Sequence, residues 1–250
     1  MLRSRIIPCL LIHKGGLVKT LKFKDPKYVG DPINAVRTFN EKLADELIVI
    51  DIDASKNGSE PNLEMIEKFA AEARMPICYV GGVKNINQVK EIIGLGVEKV
   101  GISSAAIKNP TLIREASDAV GSQSVVVILD VKKKMMGYTV KINNAEEDMK
   151  IDPLILLDEL IQYSPGEIVI NSVDNDGVMN GYDLKLAKSV KDRVNVPVTM
   201  LGGAGSLNDI SDLISKLGVV GAAAGSLFVF TGKYRAVLIN YPTIDEKRRL

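Results

Sequence analysis

Met200-Leu201-Gly202-Gly203-Ala204-Gly205-Ser206-Leu207-Asn208-Asp209-Ile210 has an echo 121 residues earlier, Tyr79-Val80-Gly81-Gly82-Val83-Lys84-Asn85-Ile86-Asn87-Gln88-Val89. Each copy is a short apolar run, a Gly-Gly pair, a small polar residue and then apolar residues at helical spacing. That is how a strand feeds a helix through a tight turn. Nearly the same offset sets Gly96-Val97-Glu98-Lys99-Val100-Gly101-Ile102-Ser103-Ser104 against Gly218-Val219-Val220-Gly221-Ala222-Ala223-Ala224-Gly225-Ser226, and Val49-Ile50-Asp51 against Ile170-Asn171-Ser172. A repeat of half the chain, built of strand-helix units, implies duplication of one half to make the whole.

Eight apolar, β-branched runs recur, at 6–11, 47–52, 77–80, 100–103, 125–129, 168–171, 196–201 and 219–223. They are apolar on both faces, as strands of a buried parallel sheet should be. Helical patterns lie between them. Asn109-Pro110 opens one that runs through Ile113, Ala116 and Val120 to Gly121, and Ser206 opens another through Leu207, Ile210, Leu213, Ile214 and Leu217 to Gly218. Asp31-Pro32 and Ser59-Glu60-Pro61 read as two further starts. Eight alternating units in 250 residues, with no Pro/Ser-rich linker, predict an α/β fold: one (βα)₈ barrel domain over 1–250, made of two half-barrels. A doubly wound open sheet is the alternative, and the duplication argues against it.

Composition closes off several classes of function. With 32 basic and 31 acidic side chains the net charge is +1, so nothing draws the whole chain to nucleic acid or to an anionic membrane. Anion binding, if any, must be local. Cys9 and Cys78 fall in apolar runs and read as buried, reduced thiols. No stretch is long and apolar enough to span a bilayer, and Met1-Leu2-Arg3-Ser4-Arg5 leads straight into a strand; a cytoplasmic protein is expected. No cofactor and no metal site is expected.

In a barrel of this kind chemistry sits at the C-terminal ends of the strands. Gly81-Gly82 and Gly202-Gly203 end strands three and seven, while Ser103 and Gly225-Ser226 end strands four and eight. Small residues before a helix N-terminus let backbone N–H groups approach a phosphate, although glycines also serve tight turns that bind nothing. Two such copies favour phosphate. Carboxylates at strand ends are Asp51, Asp53, Asp130, Asp174 and Asp176. Asp130 can reach into the mouth as a general acid or base. The corresponding first run, Ile6-Ile7-Pro8-Cys9-Leu10-Leu11, offers no carboxylate, and His13 just beyond it reads as a solvated loop residue. At the opposite ends of the strands stand Arg5, Glu46, Lys99 and Glu167. They fit either a paired plug across the barrel bottom or four ordinary exposed termini.

These residues resemble a family, the cyclase subunit of imidazole glycerol phosphate synthase. The likeness runs from Arg5-Ile6-Ile7-Pro8 to about Phe228 through Val18-Lys19, Gly30-Asp31-Pro32, Ala44-Asp45-Glu46-Leu47, Gly81-Gly82, Glu98-Lys99-Val100, Gly121-Ser122-Gln123, Gly166-Glu167-Ile168, Asp174-Asn175-Asp176-Gly177, Gly181-Tyr182-Asp183 and Gly202-Gly203-Ala204-Gly205. The resemblance implies a class I glutaminase docked on the N-terminal face and ammonia crossing the barrel. It makes Arg5, Glu46, Lys99 and Glu167 a gate for that ammonia. It also implies a phosphorylated ligand held by Gly82, Ser103, Asp176, Gly177, Gly203, Gly225 and Ser226, with Lys19, Asp51 and Asn171 on the active face and Asp130 as one of two catalytic aspartates.

The other aspartate of the family pattern is missing, because Leu11 stands in its place. Ser103 and Asn171 also stand where the family usually has asparagine and threonine. The chain therefore looks like a diverged paralogue. Relatives of that sort imply delivery of ammonia to a separate amidotransferase that converts an N-acetyl sugar to an acetamidino sugar for surface polysaccharide. The alternative is a working cyclase (a lyase) of histidine biosynthesis in which another group replaces the aspartate. A scaffold that only activates the glutaminase is a third reading.

Overall fold

The computed structural model describes residues 3–250, and within them the apolar runs become eight strands closed into one parallel barrel. Met1 and Leu2 of the N-terminal run lie outside the described residues. The strands are β1 (Arg5–His13), β2 (Leu47–Asp51), β3 (Ile77–Val80), β4 (Lys99–Ile102), β5 (Val125–Lys133), β6 (Glu167–Ser172), β7 (Val198–Leu201) and β8 (Gly221–Ala224). Each pairs in parallel with the next, and β8 pairs with β1 to close the ring. Closure, rather than an open sheet, is the outcome the repeat favoured.

Alternation along each strand decides what faces where. Ile7, Cys9, Ile48, Cys78, Val80, Val126, Ile128, Val169, Leu201 and Ala223 fill the interior. Their strand neighbours, such as Ile6, Leu10, Val49, Val127 and Ile170, pack outward into a second core beneath the helices. Cys9 and Cys78 are both buried and unbridged, and burial pushes the Cys9 thiol up to about 12.

The helices that follow the strands are α1 (Pro32–Glu41), α2 (Leu63–Glu72), α3 (Ile86–Gly94), α4 (Thr111–Val120), α5 (Pro153–Leu160), α6 (Leu184–Lys191), α7 (Leu207–Leu217) and α8 (Ile244–Arg248). Asp31 caps α1 and Ser206 caps α7 in a capping box with Asp209. The start read at Ser59-Glu60-Pro61 is a correction: α2 begins at Leu63 because Asn62 caps it, and the short helix Ile52–Asn57 intervenes. The duplication shows in backbone detail. Asn85 and Ser206, the two caps behind the glycine pairs, share φ −149° and ψ 165°. Glycine is obligatory at Gly81 and Gly203, whose φ values are +136° and +115°: a Cβ at Gly81 would lie 2.8 Å from Asp51, and one at Gly203 2.1 Å from the Gly181 carbonyl.

Strands one and five also run past their expected ends. β1 continues to His13 and turns back as a hairpin through Gly16–Leu21 and Lys24–Gly30; β5 continues to Lys133 and pairs with Tyr138–Ile142. The two excursions are anchored alike. The Lys14 N–H donates to Asp53 at 2.7 Å, and the Lys133 N–H donates to Asp174 at 2.7 Å.

At the opposite end of the barrel the four charged residues do point inward and pair. Arg5 bridges Glu46 and Glu167, the latter at 2.7 Å, and Lys99 bridges the same two carboxylates at 2.8 and 2.9 Å. Thr199 completes the ring by donating to Glu167 at 2.5 Å. Burial alone would lower the pKa values of Arg5 and Lys99; the facing glutamates more than offset it and raise both. Burial likewise opposes ionisation of Glu167, and Arg5, Lys99 and Thr199 together outweigh it, holding that carboxyl below its ordinary range. Replacing Arg5 with Leu would leave two carboxylates, 4% and 6% exposed, to one lysine. The expected loss, read by urea denaturation, is about 3–5 kcal/mol. Because the folded Glu167 pKa is depressed, the native advantage should be present at neutral pH and fade as pH falls through that value.

Candidate functional site

The C-terminal ends of the strands enclose an open cavity of about 950 Å³, entrance included. Its floor is the top of the apolar interior: Cys9, Leu11, Ile50, Val80, Ile128 and Leu201. Polar groups stand on the walls. Asp130, Asn171, Ser103, Asp51, Lys19, Asp176, Gly177, Gly203, Gly225 and Ser226 all line it, so the residues read from the sequence are brought together here. Gly82 is the exception. Its neighbour Gly81 lines the cavity, while a Cβ at Gly82 would lie 2.9 Å from the Ser59 carbonyl, against the second loop.

Asp130 is one of three carboxyls that line the cavity, with Asp51 and Asp176. Removal from bulk water raises its pKa to about 7; the hydrogen bond from Asn171 Nδ2, at 3.0 Å, lowers it, and the charge of Asp176 raises it. A carboxyl poised near neutrality can both give and take a proton. Leu11 faces the same cavity from β1, four strands away around an eight-stranded ring. It has no proton to exchange.

Ser103 supplies a second informative atom. Its Oγ is buried and has no hydrogen-bond partner among the described residues, although the serine stands at the N-cap of the short helix Ser104–Lys108. Leaving such a hydroxyl unpaired costs about 1–3 kcal/mol, which a ligand oxygen would recover. Across the cavity, Gly203 and Gly225 bring backbone close to the opening, and Gly225 makes room for Lys19, whose Nζ would lie 2.8 Å from a Cβ there. Lys19 itself is 4% exposed and donates to the Cys9 carbonyl; burial lowers its pKa. An ammonium group, an orphan hydroxyl and glycine backbone on two sides form a cavity that could hold a phosphorylated small molecule.

Asp176 also anchors a neighbouring element. Its Oδ2 accepts from Thr20 at 2.6 Å and from the Phe23 N–H at 3.0 Å, and a Cβ at Gly177 would strike the Thr20 carbonyl. These two residues fasten the first hairpin over the mouth. Burial raises the Asp176 pKa against those hydrogen bonds. Asp51 caps the helix Ile52–Asn57 through Oδ1, accepting from Asp53 and Ala54 N–H groups at 3.0 and 3.1 Å, and burial raises its pKa too. His13 is no free loop residue: its Nδ1 lies 2.7 Å from Asp53 Oδ1. Sequence reading missed Thr20, Phe23, Asn144 and Met179, which also line the mouth. The polar-apolar alternation at Thr20-Leu21-Lys22-Phe23-Lys24 was the available signal for the hairpin, though not for its turn; nothing local marks Asn144 or Met179.

Comparison with known proteins gives a consistent picture. The model of the histidine biosynthesis protein family matches residues 5–235. A protein of Vibrio vulnificus provisionally named as an imidazole glycerol phosphate synthase subunit is 52% identical over 254 residues, covering 100% of this chain and 96% of its own. A Pseudomonas aeruginosa protein with the same kind of provisional name is 52% identical over 247 residues, covering 98% of each. A Clostridium botulinum protein named without that qualification as an imidazole glycerol phosphate synthase subunit is 38% identical over 232 residues, covering 92% of each.

Asp130 offers a direct check of the site's electrostatics. Its folded pKa lies above the ordinary 3.8, so folding favours the protonated form, and the cost of charging it appears as pH rises through about 7. Asp130→Asn should therefore be more stable than the native chain at pH 8, with the gap closing by pH 4. In Asn171→Leu the lost donor should push the Asp130 titration, followed by carboxyl carbon NMR, to still higher pH.

Proposed function

The chain belongs to the histidine biosynthesis protein family, as a barrel of the imidazole glycerol phosphate synthase cyclase type, and from that premise we propose that it receives ammonia from a partner glutaminase and carries it through the barrel. The observation that supports the channel is the layering of the interior. The paired quartet of Arg5, Glu46, Lys99 and Glu167 stands at one end, a band of apolar side chains follows, and the mouth opens beyond. Neutral ammonia can cross such a band, whereas ammonium would pay heavily for leaving water. The quartet is the gate, and a class I glutaminase binds the N-terminal face around it, the complex working in the cytoplasm.

What the ammonia attacks turns on Leu11. Ring closure with carbon–nitrogen cleavage needs proton transfer on two sides of one substrate, and one side of this mouth is hydrocarbon. We assign the chain to amidation of an N-acetyl sugar for surface polysaccharide, with a separate amidotransferase taking up the ammonia that leaves the mouth. A second reading, the cyclase reaction of histidine biosynthesis, is favoured by the names of the relatives and by the phosphate-suited walls around Ser103, Gly203, Gly225 and Ser226.

Two measurements separate the readings. Loss of a positioned acid or base costs about 10²- to 10⁴-fold. Given the family's bisphosphate substrate and free ammonia, the native chain should turn over negligibly and Leu11→Asp should gain measurable activity; native turnover equal to ordinary cyclases would establish the histidine reading instead. Glutaminase turnover should rise when this chain is added, and fall back when Lys99→Ala breaks the quartet. No complex at micromolar concentration would remove the channel proposal.

A further inference from the structure

Beside the mouth lies a second concavity, separated from it by Thr20, Phe23, Ile52 and Asn144, which line both. Its walls come from the first hairpin, the second strand end and the fifth-strand hairpin. His13 stands in it, the one histidine of the chain. On β1 the side chains of Arg5, Ile7, Cys9, Leu11 and His13 share the inward face, so His13 projects from the same face as Leu11, one pleat farther out. Asp53 holds its Nδ1 at 2.7 Å and can only accept, so Nδ1 carries the proton and Nε2 is left over.

The repeat makes this arrangement informative. Asp53 and Asp174 do the same structural work, each accepting from the backbone N–H of a lysine at the far end of an extended strand, Lys14 just past β1 and Lys133 the last residue of β5. That work needs no histidine, since the second half performs it with Lys132 at the position of His13. Yet both side chains, His13 and Lys132, line this one pocket. Lys22 and Lys24 line it from the hairpin, which Asp176 ties down through the Lys22 and Phe23 N–H groups, each at 3.0 Å. The acids nearby are largely engaged: Asp53 by His13 and Lys14, Glu146 by Lys56 at 2.6 Å; Asp25 remains on the rim. Lys22, Lys24 and Lys132 form no ion pair among the described residues.

We propose that this pocket is a further anion-binding site, in which His13, backed by Asp53, donates from Nε2 to a phosphoryl or carboxylate group while Lys22 and Lys132 supply charge. The ligand class is a small molecule with an anionic arm long enough to pass Phe23, so that its reacting end lies in the mouth and its arm beside His13. Donation from Nε2 while Nδ1 donates to Asp53 requires a proton on each ring nitrogen, so the ring that holds the anion is the imidazolium. The pocket's chemistry does not depend on which reaction the mouth performs.

The test needs no turnover. In tag-free protein every imidazole signal belongs to His13. Pyrophosphate, and separately inorganic phosphate, are titrated at constant pH and ionic strength while the His13 ring resonances are followed. A saturable movement toward the imidazolium position is expected. In the double variant Lys22→Ala, Lys132→Ala the apparent affinity should weaken about three- to tenfold, that is by about 0.7–1.4 kcal/mol for the two lysines together. Ser103→Ala, in the mouth, should leave the His13 titration in place. No saturable movement, or one unchanged in the lysine variant, would overturn the site; one abolished by Ser103→Ala would assign the effect to the mouth and overturn it equally.

Discussion

Two carboxylates with almost no access to water, Glu46 and Glu167, can coexist side by side only because each meets both cations, Arg5 and Lys99. That pairing fixes four strands, β1, β2, β4 and β6, in one register around the ring. Alternation then does the rest. If Arg5 points inward, so must Ile7, Cys9, Leu11 and His13; if Glu167 does, so must Val169 and Asn171. Asp130 and its hydrogen-bond donor are thus positioned from the far end of the barrel. A buried ion pair is weak evidence for stability in itself. As a register device it explains why the polar groups of the mouth converge.

The interior between the two ends is apolar, and this contrast gives the barrel a direction. Charge is concentrated at the end where a partner could disturb it, and at the other end Asp130, raised to about 7, lines the mouth. Leu11 breaks the symmetry of the mouth without disturbing its packing, since it joins the apolar cluster that Ile50 also borders. A carboxylate there would face Asp130 across the cavity, and leucine removes that repulsion. The Ser103 hydroxyl and the glycine-lined walls remain suited to a phosphorylated ligand.

Much of this was legible in the residues because it rests on local pattern. The glycine pairs, the helix starts at Asp31 and Ser206 and the eight apolar runs are short-range signals, and the 121-residue echo tied them into a closed ring. The hairpins were not legible. Lys22 and Phe23 turn with positive φ although neither is a usual turn residue, and Gly15, Gly137 and Asn143-Asn144 mark bends without fixing which strands pair across them. For the same reason the partnership of Asp176 with Thr20, across 156 residues, was invisible, and Asp176 read as one more phosphate contact. His13 read as solvated because Asp53 is distant in sequence and adjacent only once β1 and β2 pair.

We propose that a cyclase-type barrel with leucine at position 11 does not close the imidazole ring. Growth tests it most directly. A histidine auxotroph lacking its cyclase subunit, supplied with this chain at verified expression together with a glutaminase subunit, should fail to grow without histidine. Growth at the rate conferred by an ordinary cyclase subunit would contradict the account and place the chain in histidine biosynthesis.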